Sequence, residues 1–402
     1  MKEENKMSSK TVVVCVCGGI AAYKALDIVS RLKKKDFSVH VIMTKAATEF
    51  VTTLSFQSLS QNMVICDMFE EPRAFEIQHI ALAKKADLIL VVPATANVIG
   101  KIANGIADDM LSTTVMATKA PVFFAPAMNT NMYKNPIVQD NIKKLKLYGY
   151  NFIEPSSGRL ACGDEGVGKL QDTTYISEVV SSLLYDIKDM TGKKILVTAG
   201  PTVSPIDPVR FISNRSSGKM GYAIAEEARD RGAEVTLISG HCNEDAPFGI
   251  KLIKINTNQE MYSAVLDKFN YSDIVIKAAA VADYKAKIYS EKKIKKSGDV
   301  LSLEFERDTD ILKNLGMKKK NQILVGFAAE SNDLLENARE KMANKNLDYI
   351  VANDITEKDT GFSSNDNLVT ILSNHGEIFK LEKMPKKAVA RELFNLLNRK
   401  RI

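Results

Sequence analysis

The run Thr11–Cys17 (TVVVCVC) constrains this chain more than any other stretch. It is apolar without alternation and rich in β-branched side chains. As a strand it must be covered on both faces, which parallel sheets wrapped by helices provide. Gly18 and Gly19 end it, and IAAYKALDIVSRLKKK then sets Ala21, Ala25, Ile28, Val29 and Leu32 on one helical side. Strand, glycine turn and helix open an α/β sheet, and the helix start leaves backbone amides free for a phosphate. Neither GxGxxG nor GxxxxGK[ST] occurs at this turn, so it suits a mononucleotide better than NAD or ATP.

The same pattern recurs down the chain. Val39–Thr44 (VHVIMT), Asp87–Val92 (DLILVV) and Pro121–Pro126 (PVFFAP) read as strands, and a helix is expected to begin over Ala46–Phe50. Asp87–Val92 runs into Pro93-Ala94-Thr95-Ala96-Asn97, small and hydroxylated residues at a carboxyl end, where such sheets bind ligands. Ile176–Met190 has helical spacing, polar residues follow to Gly192, and Lys193–Thr198 (KKILVT) with Ala199-Gly200-Pro201 restarts the strand and turn. A second α/β unit is therefore expected, with domains at 1–189 and 190–402. In it Val235–Ser239, Asp273–Ala280, Ile323–Val325, Tyr349–Asn353 and Leu368–Leu372 read as strands, and 334–346 and 385–398 as helices. The expected fold is two consecutive Rossmann-like open parallel-sheet domains.

Composition bounds the partners. A net charge of +6 over 402 residues is modest, and the lysine runs at 33–35, 292–296 and 318–320 are scattered. A nucleic-acid binder gathers such charge into one stripe with interleaved aromatics, so small anionic ligands are favoured and no nucleic acid is expected. Cys15, Cys17, Cys66, Cys162 and Cys242 form no disulfide framework. No apolar run reaches the roughly 18 residues of a membrane helix, and residues 1–10 lack the apolar core of a signal peptide. A cytoplasmic protein without membrane contact is expected, with Met1 and Met7 both possible starts.

Ser156–Leu170 (SSGRLACGDEGVGKL) shows no apolar periodicity, so neither a strand nor an amphipathic helix is expected there. Its four glycines suit either a mobile flap carrying Cys162 over a pocket or a surface loop with an incidental thiol. His79, in FEIQHIALAKKAD, reads as a base or as a capping residue. Asn129, between two methionines after a proline, reads as a turn former as readily as a site residue. Further on, Pro205 and Pro208 bar a helix. Asn214–Gly221 (NRSSGKMG) then precedes an apolar helix over 222–230, an anion-binding arrangement. Asp283 ends a strand where a metal, a ribose or a triphosphate could meet it. Lys292–Lys296 follow closely enough for phosphate contact, and Lys341 and Lys345 share a helical face.

Taken together, GGIAAYK (18–24), His79, PATAN (93–97), PAMNTNMY (126–133) and ACGDEGVGKL (161–170) resemble the flavin-containing cysteine decarboxylases. The branch is that of the phosphopantothenoylcysteine decarboxylases, over about residues 10–185. The resemblance implies a flavodoxin-like flavoprotein half binding FMN at Gly18, Gly19, Ile20, Thr44, Pro93, Ala94, Thr95 and Asn97. It makes His79, Asn129 and Cys162 catalytic. FMN oxidises the substrate's cysteinyl thiol, the thioaldehyde draws electrons as CO2 departs, and Cys162 protonates the enethiol as hydride returns. Asn129 can donate to the departing carboxylate without pairing it with a full charge, which would stabilise the ground state.

AGPT (199–202), DPVRFISNRSSGKMG (207–221), AAVADY (279–284), KIKK (293–296), GFAAE (326–330) and KNLD–ANDI (345–355) resemble the phosphopantothenate–cysteine ligases. That implies CTP-dependent coupling of 4′-phosphopantothenate to cysteine, with Mg2+ at Asp283. Asn214 would handle the acyl-cytidylate and Lys293 would form it. Ala278, Ala279, Asp283, Lys293, Thr309, Asp310, Ile311, Leu312, Phe327, Lys341 and Lys345 would bind the nucleotide. The ligase product is the decarboxylase substrate, so the pair implies a bifunctional enzyme of coenzyme A synthesis acting on small molecules. It also implies a homo-oligomer, trimer-based up to a dodecamer, with dimeric ligase contacts. Two other readings are a flavoprotein regulatory or binding module, and a flavin prenyltransferase-like enzyme whose likeness would stop at the first half.

Overall fold

In the computed structural model, which describes residues 10–69, 77–161, 163–295, 301–330, 333–354 and 364–399, Thr11–Val16 forms β1 and is buried along its whole length. Its lack of alternation requires that cover. The strand belongs to the first of two compact units, Met1–Leu184 and Tyr185–Ile402.

After β1 the first unit continues through α1 (Ala22–Lys33), β2 (Ser38–Met43), α2 (Thr53–Ser60), β3 (Val64–Ile65), α3 (Gln78–Lys85) and β4 (Leu88–Ala94). Then come α4 (Ala96–Ala103), α5 (Met110–Ala117), β5 (Val122–Pro126), α6 (Thr130–Lys134), α7 (Pro136–Leu147) and β6 (Asn151–Phe152). The six strands are parallel in the order β3-β2-β1-β4-β5-β6. In this doubly wound order the ligand crevice opens at the carboxyl ends of β1 and β4, where the order reverses. Flavodoxin runs 2-1-3-4-5, so the unit shares its open parallel sheet but not its strand order. Val13, Ile89, Val91 and Phe124 pack against Val98, Ile102, Leu111 and Val115, each worth about 1.5–3 kcal/mol when fully buried. The turn after β2 is one 3-10 element, Lys45–Glu49, rather than a longer helix.

The glycine-rich segment departs from expectation. It is a two-stranded antiparallel hairpin, β7 (Ser156–Arg159) and β8 (Glu165–Lys169). Apolar alternation is needed only where a strand face is buried, and main-chain pairing holds this ribbon without it. α8 (Thr173–Leu183) closes the unit and stops short of the expected Met190. That methionine is fully buried in the core of the other unit.

The second unit repeats the plan. It contains β9 (Lys194–Ala199), β10 (Val203–Pro205), β11 (Phe211–Ser213), α9 (Lys219–Asp230), β12 (Glu234–Ser239), β13 (Lys251–Lys254), α10 (Asn258–Phe269) and β14 (Ile274–Lys277). There follow β15 (Tyr284–Ala286), β16 (Phe305–Arg307), α11 (Ile311–Lys318), β17 (Ile323–Glu330), α12 (Leu334–Asn344) and β18 (Tyr349–Asp354). β19 (Asp366–Asn367), β20 (Val369–Ser373), β21 (Ile378–Lys380), β22 (Met384–Pro385) and α13 (Lys386–Arg399) complete it. The sheet order is β13-β12-β9-β14-β17-β18-β20-β21, the first six parallel, β20 antiparallel to β18 and β21 antiparallel to β20. Its order reverses between β9 and β14, which again places the crevice. β14 ends at Lys277, not at Ala280. The amides of Ala278, Ala279 and Ala280 bond instead to Thr198 O (3.2 Å), Thr198 Oγ1 (3.2 Å) and Gly200 O (3.0 Å), turning the chain over the end of β9.

Candidate active sites

The carboxyl ends of β1 and β4 open onto a cavity of about 1060 Å³, at the top of the range for small-molecule and cofactor sites. A Cβ on Gly18 would stand 2.5 Å from Ala46 Cβ and 2.8 Å from Ala46 O. The β1–α1 turn and the Lys45–Glu49 turn therefore meet only because residue 18 has no side chain. Gly19 and Ile20 also line the cavity, and α1 begins without a side-chain cap, its Ala22 N donating to Gly19 O at 2.9 Å and its Lys24 N to Ala21 O at 3.0 Å. Thr44 Oγ1 accepts from Ala47 N at 3.2 Å and Thr95 Oγ1 from Val98 N at 3.4 Å, so both hydroxyls start helical turns on the wall. Pro93 and Asn97 line it as well, whereas Ala94 is buried behind, its carbonyl accepting from Ala127 N at 3.1 Å.

Five basic residues on the wall, Lys24, Lys45, Lys101, Arg159 and Lys169, face one acid, Asp109. Sequence reasoning named none of the six as a site residue, although Lys24 and Lys169 lie inside GGIAAYK and ACGDEGVGKL. Asp109 carried another local signal, the D-x-x-S capping box: it caps α5 reciprocally with Ser112, and Lys101 Nζ lies 3.0 Å from its Oδ2. The Cys17 thiol on the same wall is pushed up to about 12 by burial, against lowering hydrogen bonds with Thr95, and stays protonated. A helix start without a side-chain cap, an excess of cations and broad apolar walls fit a flavin mononucleotide, and Gly18, Gly19, Ile20, Thr44, Thr95 and Asn97 on this wall are the residues that could hold it.

The hairpin is seated on the loop after β5. Met128 N donates to Gly168 O at 2.9 Å. A Cβ on Gly168 (φ +134°) would fall 2.4 Å from Met128 O, and one on Gly166 2.7 Å from Thr130 Oγ1. The glycines thus serve close approach. Thr130 Oγ1 is buried with no hydrogen-bond partner among the described residues. Asn129 Oδ1 accepts from Asn131 N at 2.8 Å, which fixes the amide so that Nδ2 donates to Asp164 Oδ2 at 3.0 Å. Asn129 lines the cavity, as does Ala161. Cys162 lies outside the described residues. His79 is half-buried in the first turn of α3 and is not part of the cavity wall.

In the second unit α9 starts at Gly218 (φ +80°) with no side-chain cap, which leaves its amides free for an anion. A Cβ on Gly221 would stand 2.5 Å from Ala199 Cβ, so the helix abuts β9 only through that glycine. Asn214, in the preceding loop, donates from Nδ2 to Val281 O at 2.8 Å and so meets the segment bearing Asp283. Asp283 is exposed, and its carbonyl accepts from Asp308 N at 2.9 Å.

Asp310 caps α11, Oδ1 accepting from Lys313 N at 3.0 Å, while Lys345 Nζ lies 2.8 Å from Oδ2. Thr309 O accepts from Asn258 Nδ2 at 3.1 Å. Ile311 and Leu312 bury their side chains, so their amides at the helix start are what a ligand could meet. Phe327 lies on β17 and partly packs into the core, Ala279 is buried beside the half-buried Ala278, and Lys341 is exposed on α12. Lys345 is the C-cap of α12 rather than part of the helix, so it leaves the face of Lys341 to reach Asp310.

Lys293 is exposed, and its neighbour is anchored by a residue whose role sequence reasoning missed. Buried Asp207 accepts from Val209 N (2.8 Å), Arg210 N (2.8 Å), Ile294 N (3.1 Å) and Arg210 Nη1 (2.8 Å). These hydrogen bonds outweigh the desolvation that opposes them and hold its carboxyl down at about 2. A second missed residue is Lys277. Burial and the Lys345 charge lower it to about 8, against the pull of Asp310 and Asp283. Among the described residues no group of three or more His, Cys, Asp or Glu side chains is gathered to hold a metal, and no helix is long and apolar enough to cross a membrane.

The family model described as "Flavoprotein" matches residues 1–185, and that described as "DNA/pantothenate metabolism flavoprotein C-terminal domain" matches residues 190–400. Among known proteins the chain is similar to the coenzyme A biosynthesis bifunctional protein CoaBC of Bacillus subtilis (strain 168). Identity is 49% over 390 residues, covering 96% of each chain. The protein of the same name from Borreliella burgdorferi is 45% identical over 392 residues, covering 97% of this chain and 99% of that one. The one from Haemophilus influenzae is 41% identical over 391 residues, covering 97% of each.

Proposed function

Because this chain belongs to the family of coenzyme A biosynthesis bifunctional proteins, we propose that residues 190–402 ligate 4′-phosphopantothenate to cysteine and residues 1–189 decarboxylate the product. The observation that carries the reading is the presence in one chain of two separate crevices, each with its own polar set. Asn129 and the hairpin serve one; Asn214, Asp283 and the Asp310–Lys345 pair serve the other.

In the ligase unit the carboxylate of 4′-phosphopantothenate attacks the α-phosphorus of CTP, forming an acyl-cytidylate and releasing pyrophosphate. The amine of cysteine then attacks the acyl carbon, forming the amide and releasing CMP. The amides of α9 and Lys293 stabilise charge on the departing pyrophosphate, usually the largest catalytic contribution. Mg2+, when bound with the nucleotide, would offset charge on the phosphates, and Asp283 would be the residue that holds it. Asn214, tied to Val281, holds the adduct without reacting with it.

In the decarboxylase unit FMN, when bound, supplies the oxidation of the cysteinyl thiol and its later reversal. The chain's own residues bind, orient and move protons. Asp164 Oδ2, 3.0 Å from Asn129 Nδ2, marks where a carboxylate oxygen rests against that amide. The substrate carboxylate takes this place, held by a neutral donor that does not oppose loss of its charge as CO2 leaves. His79 acts as a general base, and Cys162 delivers a proton to the enethiol carbon. We take the protein to be a cytoplasmic homo-oligomer, with exposed Phe211 and Ile212 on β11 suited to ligase contacts.

Two variants test the division of labour. Lys293→Ala should stop pyrophosphate release yet still decarboxylate added phosphopantothenoylcysteine. Cys162→Ser should release pyrophosphate and CO2 yet accumulate the enethiol. Finished product from Cys162→Ser at the wild-type rate would contradict the proton-donor role.

A further inference from the structure

We propose that Tyr133 and Glu154 are positioning residues of the decarboxylase unit, fixing the foot of the β7–β8 hairpin so that its tip meets the reacting carbon. This rests on the reading of the first unit as a decarboxylase whose proton donor, Cys162, belongs to the turn between those strands. Ile153 is still held to the first sheet, its amide donating to Phe124 O at 2.8 Å. Glu154 is the first residue beyond, and β7 begins two residues later. Both carboxylate oxygens of Glu154 are taken: Oε2 accepts from Tyr133 Oη at 2.7 Å and Oε1 from Lys146 Nζ at 2.7 Å. Burial and the Glu154 carboxylate push the Tyr133 hydroxyl up, so it remains a donor. Lys146 stands on α7, its Nζ 5.6 Å from the centre of the Phe152 ring on β6.

Tyr133 ties this foot to the residue that holds the substrate. It lies on α6, whose N-cap is Asn129, and its amide donates to Asn129 O at 2.9 Å. Each leg of the hairpin thus has one pin near its base: Tyr133–Glu154 before β7 and Met128–Gly168 at the end of β8. A third contact, Asn129–Asp164, lies toward the tip. That third contact is the one the substrate carboxylate replaces, so alignment in the loaded enzyme falls to the two at the base. With one of them gone the hairpin rocks about the other. Strands of four and five residues, at about 3.3 Å per residue, put the tip roughly 15 Å from the foot. A tilt of about 5° then moves the tip by about 1.3 Å, and a displacement of about 1 Å can cost a hundredfold in rate.

Single-turnover assays of the flavin-loaded full chain with phosphopantothenoylcysteine test this, reading CO2, enethiol and finished product together. Tyr133→Phe removes the donor and Glu154→Ala removes the acceptor. Each should release CO2 within threefold of wild type, lose finished product at least fivefold and return the difference as enethiol. Glu154→Gln keeps a carbonyl oxygen for Tyr133 and should stay within threefold of wild type in all three. The double variant Tyr133→Phe/Glu154→Ala should be no more than twofold worse than either single variant. Residues that merely held the fold would lose CO2, finished product and bound flavin in parallel. That result, undiminished product from Tyr133→Phe, or a Glu154→Gln no better than Glu154→Ala would overturn the assignment alone. Should Glu154→Ala not fold, Tyr133→Phe and Glu154→Gln decide. A wild type that releases no CO2 would sink the decarboxylase reading, and full product from Cys162→Ser the proton-donor reading, each taking this inference with it.

Discussion

Gly168→Ala should uncouple decarboxylation from ligation. A Cβ at residue 168 would lie 2.4 Å from Met128 O, so the hairpin must lift by about 1 Å to clear it. At φ +134° an alanine adds backbone strain of about 1–3 kcal/mol. Loss of the 2.9 Å bond from Met128 N to Gly168 O adds about 0.5–1.5 kcal/mol. Together, about 1.5–4.5 kcal/mol shifts the seating of the hairpin by roughly 10- to 1,600-fold, at a factor of ten per 1.4 kcal/mol. The assay is CO2 release from phosphopantothenoylcysteine, with pyrophosphate release by the ligase unit as an internal control. Gly163→Ala is the comparison. Gly163 also has positive φ (+92°), but a Cβ there meets nothing within 4 Å, so it should lose much less. A Gly168→Ala enzyme that decarboxylates within threefold of wild type, or no worse than Gly163→Ala, would refute the close-approach account.

Asp207→Asn should slow pyrophosphate release by roughly ten- to a hundredfold, because displacing Ile294 misplaces Lys293 beside it. Since the carboxyl of Asp207 is held at about 2, below its ordinary 3.8, its stabilising contribution is complete above pH 4 and lost as pH falls toward 2. The variant should therefore flatten the acid limb of the unfolding curve, and an unchanged limb would contradict the assignment. Lys277 has the opposite sign. A lysine lowered from 10.5 to about 8 opposes folding fully below pH 8, and that cost fades as pH rises toward 10.5. Lys277→Met should thus be more stable than wild type at pH 7, on the order of 2–3 kcal/mol in urea unfolding, with the gap closing by pH 10. A variant less stable at pH 7 would show the charge to be satisfied in the apo protein.

Much of the fold was legible because fully buried parallel strands carry their own signature. Thr11–Val16 has no polar face, and no exposed strand needs that pattern. The hairpin at Ser156–Lys169 was illegible for the converse reason: it buries too little side chain to imprint a period. Ile176–Met190 read as one helix because Met190 keeps apolar spacing, although it serves the other core. Motif residues such as Asn129 and Asn214 stood out as candidates because their neighbours are distinctive. Lys277 stayed hidden because it ends an apolar strand, where only the converging ends of β9, β14 and β17 and the Asp310–Lys345 pair give it meaning. Asp207 stood inside a recognised motif, but its hold on Ile294, 87 residues away, is a tertiary fact.

The central claim is that one chain performs two consecutive reactions at two sites. It is tested most directly by the stoichiometry of a single incubation of purified, flavin-loaded protein with 4′-phosphopantothenate, cysteine, CTP and Mg2+. The account predicts one CO2 for each pyrophosphate, with both dependent on CTP and only CO2 dependent on the flavin. Flavin colour with pyrophosphate but no CO2 would reduce the first unit to a binding module, and neither product would contradict the account outright.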